Sequence, residues 1–77
     1  MNTREIMNKL KTELSDLRAK MVNLKIFLGT EKYSKMKFKQ QKQSELLEQQ
    51  LKAMEVYEDI LISRISLLQN DLDNGDK

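Results

Sequence analysis

Residues 7–29 read MNKLKTELSDLRAKMVNLKIFLG, and this stretch decides the fold. Its apolar residues recur at alternating spacings of three and four, which is the pattern of a helix that packs along one seam. The seam consists of Met7, Leu10, Leu14, Leu17, Met21, Leu24 and Leu28. Gly29 follows directly, where a left-handed residue commonly ends a helix. The spacing predicts a helix over residues 3–28.

A second long helix is predicted over residues 39–72, and it carries two apolar stripes. The main stripe consists of Leu47, Leu51, Met54, Leu61, Ile65, Leu68 and Leu72, with Glu58 in the gap between Met54 and Leu61. The other consists of Leu46, Ala53, Tyr57, Ile60 and Leu67. One partner helix covers only one stripe. We therefore expect Leu46, Ala53, Ile60 and Leu67, together with Phe27, to form an interface between subunits.

These patterns predict an all-α protein, an antiparallel helical hairpin that associates into a helical-bundle oligomer. A single domain over residues 1–72 is expected, with a short helical bend at 29–38 that Thr30 caps. Residues 73–77 are polar and predict a disordered tail. Glu58, inside the main stripe, is expected to set the register or to pair with a basic residue of the first helix.

Composition argues against catalysis. The 77 residues include neither Cys nor His, so the commonest metal ligands and the commonest general base are missing. No phosphate-binding glycine loop or nucleophile motif is present. We expect no enzyme activity, no metal and no cofactor. The chain has no apolar run long enough to span a membrane and no signal-like start, so the cytoplasm is the expected location.

Charge is divided unevenly along the chain. Residues 1–28 carry six Lys and Arg against three acids, residues 29–44 carry five against one, and residues 45–77 carry three against eight. Opposite charges on the two halves favour an antiparallel hairpin or a contact between subunits. The acidic second half argues against nucleic acid as a partner, because such binding needs a continuous basic face.

Two groups of residues are candidates for ligand binding. Lys32, Lys35 and Lys37 surround Tyr33 in a bend that also holds Lys39 and Lys42, where they could hold phosphates or simply keep the turn solvated. Tyr57 and Arg64 lie two helical turns apart on the second stripe. The guanidinium of Arg64 either pairs with Glu58, Asp59 or an acid of another subunit, or clamps a phosphate while Tyr57 stacks on a ring.

The segments NLKIFLGTEKY at 23–33 and LLEQQLKAMEVY at 46–57, followed by Ile60, Leu61, Arg64 and Ile65, resemble a family of small bacteriophage helical-hairpin proteins. The resemblance covers about residues 17–65. The layout is similar to the hairpin domain of phage anti-CBASS and anti-Thoeris sponges. Lys37 departs from the pattern, because a capping Ser is expected there.

The resemblance implies a phage protein that antagonises host antiviral defence. Such a protein would sequester a cyclic nucleotide or a related phosphate-bearing molecule in pockets between subunits, with Tyr57 and Arg64 as ligand or interface residues. The alternative interpretation is a coiled-coil module that oligomerises and binds a host or phage protein through the same i, i+3, i+4, i+7 positions.

Overall fold

The computed structural model describes residues 2–30, 33–36 and 40–75. Helix α1 spans Thr3–Leu28 and helix α2 spans Gln41–Asn74, and residues 33–36 between them are also helical. The two long helices pack antiparallel, so the predicted class, an all-α helical hairpin with a short helical bend, is confirmed. The molecule is elongated, with principal extents of 59 × 17 × 15 Å. Neither long helix has an apolar stretch sufficient to cross a membrane, within the described residues.

Helix α1 begins with a reciprocal cap at Asn2. The Asn2 side chain accepts a hydrogen bond from the backbone N–H of Glu5 at 2.8 Å, and its amide donates to the Glu5 carboxylate at 3.4 Å. This arrangement satisfies a backbone donor that the helix itself leaves unpaired. Glu5 also places negative charge in the first turn, where the helix dipole favours it.

Gly29 ends α1 without the left-handed conformation that the sequence predicts. Its φ and ψ are −90° and 1°, and its N–H donates to the carbonyls of both Lys25 and Ile26 at 3.1 Å. The next residue, Thr30, donates to the carbonyl of Phe27 from its backbone at 3.0 Å and from its hydroxyl at 2.7 Å. The chain therefore leaves α1 through a tightened right-handed turn, because Thr30 supplies the bonds that a left-handed cap would provide.

Thr30 also starts the helical segment of the bend, as predicted. Its hydroxyl oxygen accepts from the backbone N–H of Tyr33 at 3.2 Å, and its carbonyl accepts from the N–H of Ser34 at 3.2 Å. The departure expected at Lys37 lies outside the described residues, as does the predicted start of the second helix at residue 39.

The core lies along the seam predicted for α1. Leu10, Leu14, Leu17 and Met21 form one buried cluster with Leu61 of α2, which is fully buried, and Met7 extends the buried row. Around this cluster pack the partly buried residues Ile6, Leu51, Met54, Ile65 and Leu68. The alternation of three and four keeps one face of α1 against α2 from Met7 to Met21, over about four turns.

Helix α2 continues to Asn74, two residues beyond the predicted end at residue 72. The side chain of Gln69 donates to the carboxylate of Asp73 at 2.9 Å, one turn away, and the N–H of Gly75 donates to the carbonyl of Asp71 at 2.8 Å. These hydrogen bonds stabilise the last turn of α2, which includes residues 73 and 74 that the sequence placed in the tail. Residues 76 and 77 lie outside the described residues.

Candidate functional site

The second stripe of α2 faces away from α1. Leu46, Ile60 and Leu67 are 49%, 50% and 65% exposed, and Ala53 is also exposed. Val56 belongs to the same surface and is 60% exposed. Phe27, grouped with this stripe by the sequence, is instead half-buried, and its ring meets that of Tyr33 edge-on at a centroid distance of 6.1 Å.

Tyr57 stands between the exposed stripe and α1. Its hydroxyl donates a hydrogen bond to the carboxylate of Glu13 at 2.5 Å, and the residue remains 39% exposed. An open groove of about 430 Å³ runs beside it. The groove is lined by Thr12, Glu13, Asp16, Leu17, Lys20 and Tyr57. The ring of Tyr57 is therefore held by its hydroxyl at the edge of an open groove.

Arg64 is exposed and lies two turns beyond Tyr57. Glu58, one of its expected acidic partners, is engaged by Arg18, whose Nε donates to the Glu58 carboxylate at 2.8 Å. Within the residues that the structure describes, Arg64 forms no ion pair with Glu58, whereas the expectation that Glu58 pairs with a basic residue of the first helix is confirmed. Within the described residues no ion pair joins Arg64 to Asp59 either.

The charged groups around Tyr57 shift the pKa of its phenol. The hydrogen bond to Glu13 raises the pKa of the phenol above its ordinary value of 10.0, and desolvation adds to this rise. The positive charge of Arg64 acts in the opposite direction and lowers the same pKa. Tyr57, Glu13 and Arg64 thus form one electrostatic group that joins the two helices.

Tyr33 is placed differently, since only 5% of its surface is exposed. Its hydroxyl donates to the carboxylate of Glu48 at 2.8 Å, and this bond is the main cause of a raised pKa. Ser44, which is 1% exposed, is near enough to lower that pKa and donates its own hydroxyl to the carbonyl of Gln41. In this structure Tyr33 joins the bend to α2 and has no free ring face for a ligand.

The lysine cluster is only partly described. Lys35 and Lys42 are exposed, whereas Lys32, Lys37 and Lys39 lie outside the described residues. Tyr33 contacts Glu48, which precedes Tyr57 by nine residues, or roughly 14 Å along the helix. The bend and the Tyr57–Arg64 group are therefore two separate locations.

The sequence did not single out two of the residues that line the groove beside Tyr57, namely Glu13 and Lys20. Both lie on α1 beside the seam, where charged residues are ordinary helix surface. Their role depends on how α1 and α2 are aligned along each other, and the heptad pattern leaves that alignment open. The hydroxyl of Tyr57 could have pointed to Glu13, because a partly buried phenol usually donates to an acceptor and an acid on α1 could supply one.

Residues 5–67 match the family described as Sequestin. The chain belongs to the Sequestin family. No curated protein matches the chain, and no solved structure does. The matched range contains Glu13, Tyr57 and Arg64 as well as the whole exposed stripe from Leu46 to Leu67. This match confirms the resemblance carried by residues 23–33 and 46–57. The family name describes a protein that sequesters. The general role of the chain is therefore binding.

Proposed function

We propose that this Sequestin protein is encoded by a bacteriophage and sequesters a nucleotide immune signal of the infected bacterium. The complex would form in the host cytoplasm, in pockets between subunits of a homo-oligomer. The observation that carries the proposal is the Tyr57–Arg64 group inside the family match, where a half-exposed ring lies near a cation that has no acidic partner among the described residues. Binding alone would remove the signal, with no bond broken.

The groove and the neighbouring Arg64 together offer the chemistry that a cyclic nucleotide requires. Lys20 supplies one positive charge in the groove lining, and Arg64, which lies outside that lining two turns beyond Tyr57, supplies a planar guanidinium suited to phosphate oxygens. The ring of Tyr57 presents a face for stacking on a base. Glu13 and Asp16 would repel a phosphate but accept hydrogen bonds from ribose hydroxyls. These opposite preferences orient the ligand, with its phosphates toward Arg64 and its ribose toward α1.

A thermal-shift screen against cyclic and linear nucleotides tests this proposal. A true ligand at a hundredfold excess over its Kd should stabilise the protein by about 2.7 kcal/mol. In Arg64→Ala we expect the shift to be lost while circular dichroism still shows a folded helical protein. Lys52→Ala is the matched control, because it removes one positive charge from an exposed site elsewhere on α2. A shift retained in Arg64→Ala would remove Arg64 from the site, and no shift with any nucleotide would contradict the proposal.

The second candidate is a protein-interaction module, and the exposure of Ile60 and Leu67 favours it. An amphipathic helix can place such a stripe into a groove of a host or phage protein. This function predicts capture of one defined partner by the wild type, its loss in Leu67→Glu, and no response to nucleotides. Capture retained by Leu67→Glu would exclude this stripe as the docking surface.

A further inference from the structure

The exposed stripe of α2 has an internal symmetry about the peptide bond between Val56 and Tyr57. Ala53 lies three residues before Val56, and Ile60 lies three residues after Tyr57. In the same way, Leu46 and Leu67 lie ten residues from Val56 and Tyr57. Seven residues outward lie the polar pair Gln49 and Arg64, and fourteen residues outward lie Lys42 and Asp71. Steps of three, seven, ten and fourteen residues return to the same face of a helix. All ten of these residues are exposed.

We propose that two copies of the chain pair through this stripe, α2 against α2, antiparallel and related by a two-fold axis at Val56–Tyr57. The proposal gives a geometry to the self-association that the proposed function requires. In a two-fold interface each residue meets the one at the mirrored position of the second copy. Leu46 then meets Leu67, and the interface extends over about 32 Å of helix.

Size and charge both fit this pairing. Ala53 meets Ile60 of the second copy, so a small residue faces a large one and the helices can approach closely. At each end the ammonium of Lys42 meets the carboxylate of Asp71, which gives two attractive charge pairs per dimer. A parallel arrangement would instead place Lys42 beside Lys42 and Asp71 beside Asp71. Like charges would then repel at both ends, so the charges select the antiparallel pairing.

The same pairing completes the candidate ligand site. Arg64 meets Gln49 of the second copy, and Tyr57 meets Val56. Each Tyr57–Arg64 group would therefore lie between two surfaces. One is its own α1, which it contacts at Glu13, and the other is α2 of the second copy. The dimer would hold two such sites, and a single chain would hold only the open groove.

Single cysteines test the geometry directly, because the chain has no natural Cys. Val56→Cys lies beside the axis, so the two thiols would come within disulfide distance and a covalent dimer should form on mild oxidation. Ala53→Cys lies about 10 Å from its own copy along the helix, beyond the reach of a disulfide. It should stay uncrosslinked alone and form the dimer when combined with Ile60→Cys. Non-reducing gels would measure the covalent fraction.

Ser66→Cys, exposed on the opposite side of α2, sets the background of random collisions. Crosslinking of Ala53→Cys alone as strongly as Val56→Cys would overturn the antiparallel pairing, since only a parallel one brings identical positions together. Crosslinking no stronger than Ser66→Cys in every variant, with circular dichroism showing intact helices, would overturn the interface. Stabilisation by a nucleotide without crosslinking would contradict this dimer and support the sequestering function. Crosslinking without stabilisation by any nucleotide would support the dimer and contradict the sequestering function.

Discussion

At the scale of single residues, Tyr57 connects the two helices electrostatically. Its phenol donates to Glu13 on α1 and lies within the influence of Arg64 on α2, and these two charges shift its pKa in opposite directions. Because the chain has two tyrosines and no tryptophan, tyrosinate absorbance reports these groups without interference. The phenol of Tyr57 is thus a natural probe of the candidate site.

We expect Tyr57 to titrate above 10.0 in the folded Tyr33→Phe variant, in which it is the only tyrosine. Glu13→Gln should lower this pKa because it removes the carboxylate that stabilises the neutral phenol. Arg64→Ala should raise it because it removes a charge that favours tyrosinate. A spectrophotometric pH titration measures all three, and an unchanged midpoint in Glu13→Gln would show that the hydrogen bond is not formed in solution.

The sign of this shift also fixes a stability effect. A group whose pKa is higher in the folded protein than in the unfolded chain contributes stability below the unfolded pKa, and that contribution is lost as the pH rises through the folded value. Tyr57 and Tyr33 both have raised pKa values. Their hydrogen bonds to carboxylates therefore stabilise the hairpin at neutral pH, and this stabilisation is lost as the pH rises above 10.

At the scale of elements, the contact between α1 and α2 depends on a few buried leucines and much less on the ion pair between Arg18 and Glu58. Leu61 is fully buried in the core cluster, so Leu61→Ala should cost about 2–5 kcal/mol of unfolding free energy. Arg18→Ala should cost less than about 1 kcal/mol, because the Arg18 side chain is 54% exposed and its pair with Glu58 is screened by water.

Urea denaturation with matched controls measures both effects. Ile62→Ala is the control for Leu61→Ala, since Ile62 is the next residue of α2 and is 40% exposed. A loss in Ile62→Ala as large as in Leu61→Ala would mean that the exposed side of α2 is also covered in solution. Equal losses in Arg18→Ala and Leu61→Ala would contradict the ranking of apolar packing over the ion pair.

The sequence predicted the elements better than their alignment. The seam of α1 is a local pattern, so Met7 to Met21 could be assigned to the core from spacing alone. The pairs Tyr57–Glu13 and Tyr33–Glu48 depend on how far α2 is shifted along α1, and the local spacing of apolar residues does not specify that shift. The turn at Gly29 was mispredicted for a related reason, because the hydroxyl of Thr30 replaces a left-handed cap and glycine alone does not reveal this.

At the scale of the whole molecule, a hairpin of this size has little core. A chain of 77 residues buries only about 60–65% of the surface that its unfolded state exposes. Several large apolar side chains of α2, including Val56, Ile60 and Leu67, remain half-exposed or more. Association would bury them, and stability would then depend on protein concentration.

We therefore expect the Tm to rise with concentration over a roughly hundredfold range, since mass action stabilises an associating protein. Ile60→Glu should remove most of this dependence by placing charge in the exposed stripe. Ser66→Glu, on the opposite side of α2, should retain it. Thermal melts followed by circular dichroism make the measurement. A Tm that is independent of concentration in the wild type would contradict self-association in this range.

The elongated outline of the hairpin affects how its mass must be determined. A particle of 59 × 17 × 15 Å has a larger frictional coefficient than a sphere of equal volume. It therefore diffuses slowly and elutes early from a gel-filtration column, so calibration with spherical standards overstates its mass. A single chain can imitate a dimer in this way. Light scattering or sedimentation equilibrium, which do not depend on shape, would give the subunit number.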